Sequence, residues 1–132
     1  MKETTPRASN TSSTLTTNSR IIKTIISAIQ EKKGEEIISL NLKKIPEAVA
    51  DFFIICEAGN PTLVKAIADN VEKRVKENCG ENPYCFSGKQ GDQWVLLDYV
   101  DVIVHCMMPQ ARAFYNLEDM WQDATSKQHV DE

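Results

Sequence analysis

The stretch WVLLDYVDVIVHCM, from Trp94 to Met107, holds two runs of mostly aliphatic residues around a short segment with two aspartates. Aliphatic and β-branched residues in short runs are typical of strands, so the stretch predicts two strands joined by a tight turn. We place the centre of the turn at Tyr99 and Val100, with Asp98 opposite Asp101. The acids and the histidine that follows could form a catalytic or metal site, or belong to a surface that a partner recognises.

The predicted hairpin has two different faces. Side chains alternate between the faces of a strand, and directly paired residues share a face. In this register Trp94 pairs with His105, and one face is wholly apolar and is expected to be core: Val95, Leu97, Val102, Val104 and Cys106. The other face is mixed and comprises Trp94, Leu96, Asp98, Asp101, Ile103 and His105. This mixed face is expected either to be an exposed contact surface or to be covered by a C-terminal helix.

Strand geometry argues against chemistry at the mixed face. His105 lies four residues beyond Asp101, about 13 Å at roughly 3.3 Å per residue, whereas metal ligands lie within about 2 Å of the ion. Asp98 and Asp101 alone would make a weak site, and Asp is common in turns because its side chain bonds nearby backbone amides. His105 and Cys106 point to opposite faces and do not pair as base and nucleophile. The sequence predicts no catalytic residue, metal or cofactor.

The segment before the hairpin predicts helices and strands in alternation. Isoleucines recur at helical spacing over 21–29, after Ser19 as an N-cap and before Gly34 as a stop. Strands are predicted at 37–42 and 52–56. The second run, FFIIC, has apolar residues on both sides, which is typical of a strand covered on both faces.

The rest of the chain predicts two more helical regions. Asn60 and Pro61 have the residue types that begin helices, and an apolar stripe over 63–75 predicts the clearest helix in the chain. A weak strand is predicted at 84–86. A C-terminal helix is predicted to turn inward Phe114, Leu117, Met120 and Trp121. We therefore predict an α/β domain with a single mixed β-sheet covered by helices.

The amino-acid composition predicts how the chain termini behave, where the protein is located and which kind of partner it binds. Residues 1–19 are mostly Ser, Thr and Asn and predict a disordered tail, and 125–132 are expected to be frayed, which leaves one domain over 20–124. The four cysteines lack a C-x-x-C pair and are predicted to be reduced thiols, although Cys79 and Cys85 could approach each other as a redox pair. Without an apolar segment of membrane length or a signal peptide, the expected location is cytoplasmic. The net charge of −4 favours a basic protein partner over broad nucleic acid binding.

Four segments together resemble the ribosomal silencing factor RsfS, or Iojap-like, family. They are DFFIICEAGN, VKAIADNVEKRVKE, WVLLDYVDVIVHCM and PQARAFYNLEDMWQDA. The resemblance extends from Ser19 to about Ala124. It implies a nucleotidyltransferase-like α/β domain that lacks the activity of that superfamily. Nucleotidyltransferases place their metal-binding acids two apart on a strand, whereas Asp98 and Asp101 are three apart and straddle a turn.

The resemblance also implies a function. It implies a translational repressor that binds the large ribosomal subunit through ribosomal protein number fourteen (the uL14 family) and blocks joining of the small subunit. The residues expected at the contact are Trp94, Leu96, Asp98, Tyr99, Asp101, Ile103 and His105, with Met107, Met108 and Arg112 as extensions. Two alternatives stay open: a residual Mg²⁺-dependent nucleotidyltransferase or nucleotide-binding protein that uses the two aspartates, and a homodimer formed through the mixed face.

The chain departs from the family pattern at two positions. Val100 stands where the family often has a glycine before the second aspartate, and a β-branched residue tolerates positive φ poorly. Gln110 stands where an acid commonly follows the proline, which would weaken a contact made there.

Overall fold

Six strands in the described part of the chain form one mixed sheet. The computed structural model describes residues 19–89, 93–120 and 124–129. In these ranges the elements are α1 (Arg20–Glu31), β1 (Glu35–Asn41), β2 (Phe52–Glu57), α2 (Pro61–Cys79), β3 (Cys85–Lys89), β4 (Trp94–Asp98), β5 (Val102–Met107), α3 (Pro109–Tyr115), α4 (Leu117–Met120) and β6 (Thr125–His129). The strand order is β3-β4-β5-β2-β1-β6, with β2 and β5 parallel and every other pair antiparallel. The predicted single mixed sheet with helices is confirmed. Of the helices in these ranges, none has the length and hydropathy to cross a membrane.

Helices α1 and α2 cover one face of the sheet. The isoleucine stripe of α1 is buried there, with Ile22, Ile25 and Ile29 fully inaccessible, and Ile67 and Val71 of α2 are equally buried. Each such side chain contributes about 1.5–3 kcal/mol through its removal from water. The apolar face predicted for the hairpin packs against these helices, and all five of its residues belong to this core.

The ends of the two long helices follow from particular residues. The side chain of Asn60 accepts a hydrogen bond from the Leu63 amide at 2.8 Å, and Gly80 ends α2 in the left-handed conformation. Ser19 precedes α1 as predicted, but its side chain makes no capping hydrogen bond. Gly34 lies so close to α1 that a Cβ there would be 2.3 Å from Cγ2 of Ile29. Glycine is therefore required where the chain turns from α1 into β1.

Strand β2 is covered on both faces, as the run FFIIC predicts. Phe52 and Ile54 face the α1–α2 core, whereas Phe53 and Ile55 face a second core on the other side of the sheet. That second core also contains residues of β1, the residue that follows β1, and residues of β5 and the C-terminal helices: Leu40, Leu42, Ile103, Met107, Ala111 and Leu117. Helices α3 and α4 therefore cover part of the mixed face of the hairpin, which was one of the two expectations for it.

The structure corrects the register of the hairpin. Trp94 pairs with Met107 and Asp98 pairs with Ile103, so the pairing is shifted by two residues from the predicted one. A shift of two keeps every strand residue on its predicted face, because side chains alternate with period two. The turn lies one residue later than predicted and holds Val100 at φ +75°.

The structure also corrects the C-terminal end. Residues 125–129 were expected to be frayed, yet they form β6, which pairs with β1 along its whole length. His129 at the end of β6 shares a hydrogen bond of 2.9 Å between its Nε2 and the hydroxyl of Ser39. Residues 1–18 of the predicted tail, and Trp121, which was predicted to face inward, lie outside the described residues.

Candidate partner-binding surface

Trp94 lies at one end of the mixed face and is held by His105. Both lie on neighbouring strands, and the Trp94 indole N–H donates to Nδ1 of His105 at 3.1 Å. The edge of the Phe53 ring meets the imidazole, with ring centroids 4.6 Å apart. His105 is therefore buried beneath Trp94 and is not itself available to a partner.

The protonation state of His105 follows from this environment. Burial lowers the pKa of His105 from 6.5 to about 4, so the ring is neutral at physiological pH. Because Nδ1 accepts the tryptophan N–H, the single ring proton belongs on Nε2. That nitrogen is buried and has no hydrogen-bond partner among the described residues. His105 thus orients Trp94 at the cost of one unsatisfied donor.

Three aromatic side chains form a continuous ridge beside the sheet, which we call the aromatic ridge: Trp94, Tyr115 and Phe114. The rings of Trp94 and Tyr115 are 4.6 Å apart, and those of Tyr115 and Phe114 are 5.0 Å apart. Trp94 and Tyr115 are half-buried, whereas Phe114 is 79% exposed. A groove of about 430 Å³ lies beside Phe114 and Tyr115 of the ridge and is also lined by Gln93, Gln110 and Ala111.

Phe114 was predicted to face inward, and that prediction is wrong. Helix α3 ends at Tyr115, and Asn116 takes the left-handed conformation with φ 46°, so α4 starts in a new direction. Leu117 is buried as predicted, while Phe114 lies on the solvent side of α3. A single helical wheel drawn through both helices cannot describe a segment that breaks at Asn116.

Arg112 fastens α3 and α4 to the sheet. Its Nη2 donates to Oε2 of Glu118 at 2.8 Å, and its Nη1 donates to the carbonyl of Glu36 at 2.7 Å and to Oε1 of Glu57 at 3.3 Å. We call these four residues the Arg112 clamp. Arg112 is only 8% exposed, so this predicted contact residue is engaged within the chain.

The two acids of the hairpin have different roles. Oδ1 of Asp98 accepts the Val100 amide N–H at 2.7 Å, which is the bond that aspartate side chains make in turns. Asp101 ties the turn to the start of β2 through its backbone, because its carbonyl accepts N–H groups from Asp51 and Phe52 at 2.9 and 3.1 Å. Within the described ranges, no three His, Cys, Asp or Glu residues are grouped so that they could hold a metal ion.

The ten predicted contact residues therefore separate into two groups. Buried in this chain are Tyr99, Ile103, His105, Met107 and Arg112. Tyr99 faces the α1–α2 core on the other side of the sheet, where its hydroxyl is buried. Met108 is half-buried against that same core. The mixed face retains as partly exposed residues Trp94, Leu96, Asp98 and Asp101.

The comparison with known families identifies the chain. A family model described as ribosomal silencing factor during starvation, RsfS, matches residues 15–132. The chain belongs to the RsfS family. It is similar to the ribosomal silencing factor RsfS of Halalkalibacterium halodurans, with 37% identity over 107 residues that make up 81% of this chain and 90% of the relative.

A solved structure and a further relative are also similar to this RsfS-family chain. The crystal structure of a Chromobacterium violaceum protein is similar, with a TM-score of 0.72, 32% identity, and coverage of 84% of this chain and 91% of that one. A Mus musculus protein named mitochondrial assembly of ribosomal large subunit protein 1 is 26% identical over 103 residues, which cover 76% of this chain and 44% of that protein. The likeness to nucleotidyltransferases stays a prediction.

Proposed function

We propose that this protein is a cytoplasmic translational repressor that binds the large ribosomal subunit and blocks joining of the small subunit. The observation that carries the proposal is the RsfS family match, which extends over residues 15–132 and therefore includes the whole described fold. The proposed partner on the subunit is ribosomal protein number fourteen. The name of the mouse relative, which refers to the large ribosomal subunit, supports the choice of subunit.

The proposed contact is the aromatic ridge together with the exposed part of β4. Aromatic side chains are enriched at the centres of protein interfaces, and Phe114 offers a large apolar surface that nothing in the described chain covers. Leu96 continues the apolar surface along β4, and Asp98 and Asp101 lie at its far end. These acids and the net charge of −4 favour a basic partner, with attraction that salt weakens.

The alternative of a residual nucleotidyltransferase gains no support from this geometry. Asp98 and Asp101 lie on either side of the hairpin turn, and Asp98 is engaged by the Val100 amide. Two carboxylates in this arrangement do not project from one strand toward a shared ion. A homodimer through the aromatic ridge would use the same surface as ribosome binding. The two functions of the ridge are distinguished by measuring both self-association and binding to the large subunit.

Phe114→Ala tests the proposed contact, because Phe114 is exposed and its truncation leaves the cores intact. We expect this change to weaken binding to purified large subunits by at least about tenfold, or about 1.4 kcal/mol, as measured by co-sedimentation. Tyr84→Ala is the matched control, since Tyr84 is 83% exposed and lies just before β3, opposite Tyr99, which faces the α1–α2 core and not the mixed face.

Binding and self-association should be measured on the same variants. Equal affinities for Phe114→Ala and Tyr84→Ala would refute the ridge as the ribosome contact. Sedimentation equilibrium shows whether Phe114→Ala changes the oligomeric state. If it converts dimers to monomers and leaves subunit binding unchanged, the ridge is a dimer interface instead.

A further inference from the structure

A basic groove lies between α1 and α2, on the side of the sheet opposite the aromatic ridge. The two helices are antiparallel: Nη1 of Arg20 donates to the Asn78 carbonyl at 3.3 Å, and the Asn70 amide donates to the Ala28 carbonyl at 2.9 Å. The groove has a volume of about 410 Å³. Its lining, which defines the name basic groove, is Arg20, Lys23, Thr24, Ser27, Arg74 and Asn78.

Charge is distributed unequally between the helical layer and the rest of the chain. Residues 20–33 and 61–79 carry eight Lys or Arg against four Asp or Glu, although the whole chain has a net charge of −4. The layer formed by α1 and α2 thus has a positive net charge. The rest of the chain is more acidic than the net charge of the whole protein indicates. Net charge alone therefore conceals a cationic surface on a protein that is acidic overall.

Three cations are among the described residues that line the basic groove, and two of them form no ion pair with a described acid. Arg74 is engaged by Glu31 and lies 3.6 Å from Glu77, so its charge is largely compensated. Arg20 bonds only to a backbone carbonyl, and Lys23 has no ion pair within the part of the chain that the structure describes. Both side chains are exposed. They are three residues apart on α1, which places their Cβ atoms about 5–6 Å apart.

The neutral groups of the basic groove also suit an oxyanion. Ser27 presents an exposed hydroxyl one turn beyond Lys23, and the Asn78 side chain adds an amide. Cations surrounded by hydroxyl and amide donors are the usual contacts to phosphate oxygens of nucleic acids. The described residues of the lining include no aromatic side chain that would stack on bases, so the groove favours the phosphate backbone over the bases.

We propose that the basic groove binds the phosphate backbone of RNA without reading its sequence. The inference rests on the proposed function, because a protein bound to a ribosomal subunit by its aromatic ridge has RNA as the abundant anionic surface nearby. The aromatic ridge then contacts protein and the basic groove contacts phosphates. Two contacts on one rigid domain raise the overall affinity, since the second forms at a high effective concentration.

The test is fluorescence anisotropy with a labelled oligouridine of about twelve nucleotides and the full chain. Arg20→Gln combined with Lys23→Gln removes the two unbalanced cations. Lys32→Gln combined with Lys33→Gln removes the same charge from the far end of α1, outside the groove lining. We expect the groove variant to bind at least about tenfold more weakly at low salt and the control variant to change less than about twofold.

Salt dependence gives a second readout. Removing two phosphate contacts to a single strand should reduce the slope of log affinity against log salt by about 1.4 in the groove variant. Equal losses in the groove and control variants, or no RNA binding by the wild type, would overturn the proposal. A peptide of residues 8–18 that is phosphorylated at Ser12 tests whether the basic groove prefers phosphoserine from this chain to RNA. If the peptide binds the basic groove more tightly than the RNA does, the proposal is also overturned.

The RNA-binding proposal and the proposed function can be refuted separately. Phe114→Ala leaves the basic groove untouched, so it should retain full RNA affinity while losing subunit binding. The groove variant could lose oligouridine binding and still bind large subunits normally. In that case the basic groove would bind only free RNA, and its proposed role on the ribosome would be overturned. Thermal melting of each variant verifies that the fold is retained.

Discussion

At the scale of single residues, burial decides what each polar group can do. His105 looked like a candidate site residue because histidine beside two aspartates is a common catalytic combination. In the structure it is 4% exposed and serves as the acceptor for Trp94. Its role as a support could not be predicted from the sequence, because Phe53, whose ring packs on the imidazole, belongs to β2 and lies far from His105 in the chain.

His105 should make stability depend on pH. Its pKa is lowered to about 4 by burial, whereas the unfolded chain has the ordinary value near 6.5. The unfolded state therefore binds the proton first as pH falls, and the folded state loses up to about 3 kcal/mol between pH 6.5 and pH 4. Urea unfolding at pH 7 and pH 4.5 measures this loss, which should shrink in His105→Gln.

His129 supplies the control for this pH dependence. Desolvation and then Lys127 lower the pKa of His129 as well, so the direction is the same, but its side chain is less buried. We expect His129→Gln to retain most of the pH dependence. If His105→Gln and the wild type lose equal stability on acidification, His105 is not a buried neutral histidine.

Gly34 provides a steric prediction at a single position. A methyl group there would meet Cγ2 of Ile29 at 2.3 Å and the Ile29 carbonyl at 3.3 Å. Gly34→Ala should destabilise the protein by about 1–3 kcal/mol, because α1 must move away from the sheet or Ile29 must leave its rotamer. Gly59→Ala, where nothing lies within 4 Å of the new methyl group, should change the free energy of unfolding by less than about 0.5 kcal/mol. Equal effects in urea unfolding would contradict the close approach of α1.

At the scale of elements, predictability followed the strength of the local pattern. α1 and α2 were predicted because their apolar stripes and the Asn60 cap are local signals. β6, with the sequence TSKQH, carries no apolar alternation, since as an edge strand it pairs on one side only and its side chains are mostly exposed. The two faces of the hairpin were predicted, but the register of the hairpin was not. Val100 adopts a positive φ, which is unfavourable for a β-branched residue and was therefore not expected at this position.

The Arg112 clamp should determine whether α3 and α4 stay docked. Arg112→Met removes the cation from two carboxylates and a carbonyl in a largely buried position, and we expect a loss of about 3 kcal/mol. Arg74→Met breaks the more exposed pair with Glu31 and should cost less than about 1 kcal/mol. Denaturant unfolding measures both, and near-ultraviolet circular dichroism reports on the packing of Trp94 against Tyr115. Similar small losses in the two variants would mean that the clamp does not hold these helices.

At the scale of the whole molecule, the two faces of the sheet differ in chemistry. One carries the aromatic ridge and the acids of the hairpin turn, and the other carries α1 and α2 with the basic groove. The family could be recognised from four sequence segments, because their order and spacing are specific. The exposed surface was harder to predict: Phe114 was missed, and half of the ten predicted contact residues are buried. Sequence patterns report which face a residue lies on, but not which distant element covers that face.

The central claim is that this protein prevents ribosomal subunits from joining. Separated large and small subunits are mixed at a magnesium concentration that supports joining, with and without excess protein, and resolved on a sucrose gradient. We predict that the wild type and Tyr84→Ala leave subunits apart, whereas Phe114→Ala allows them to join. Full joining in the presence of saturating wild-type protein would contradict the proposed function.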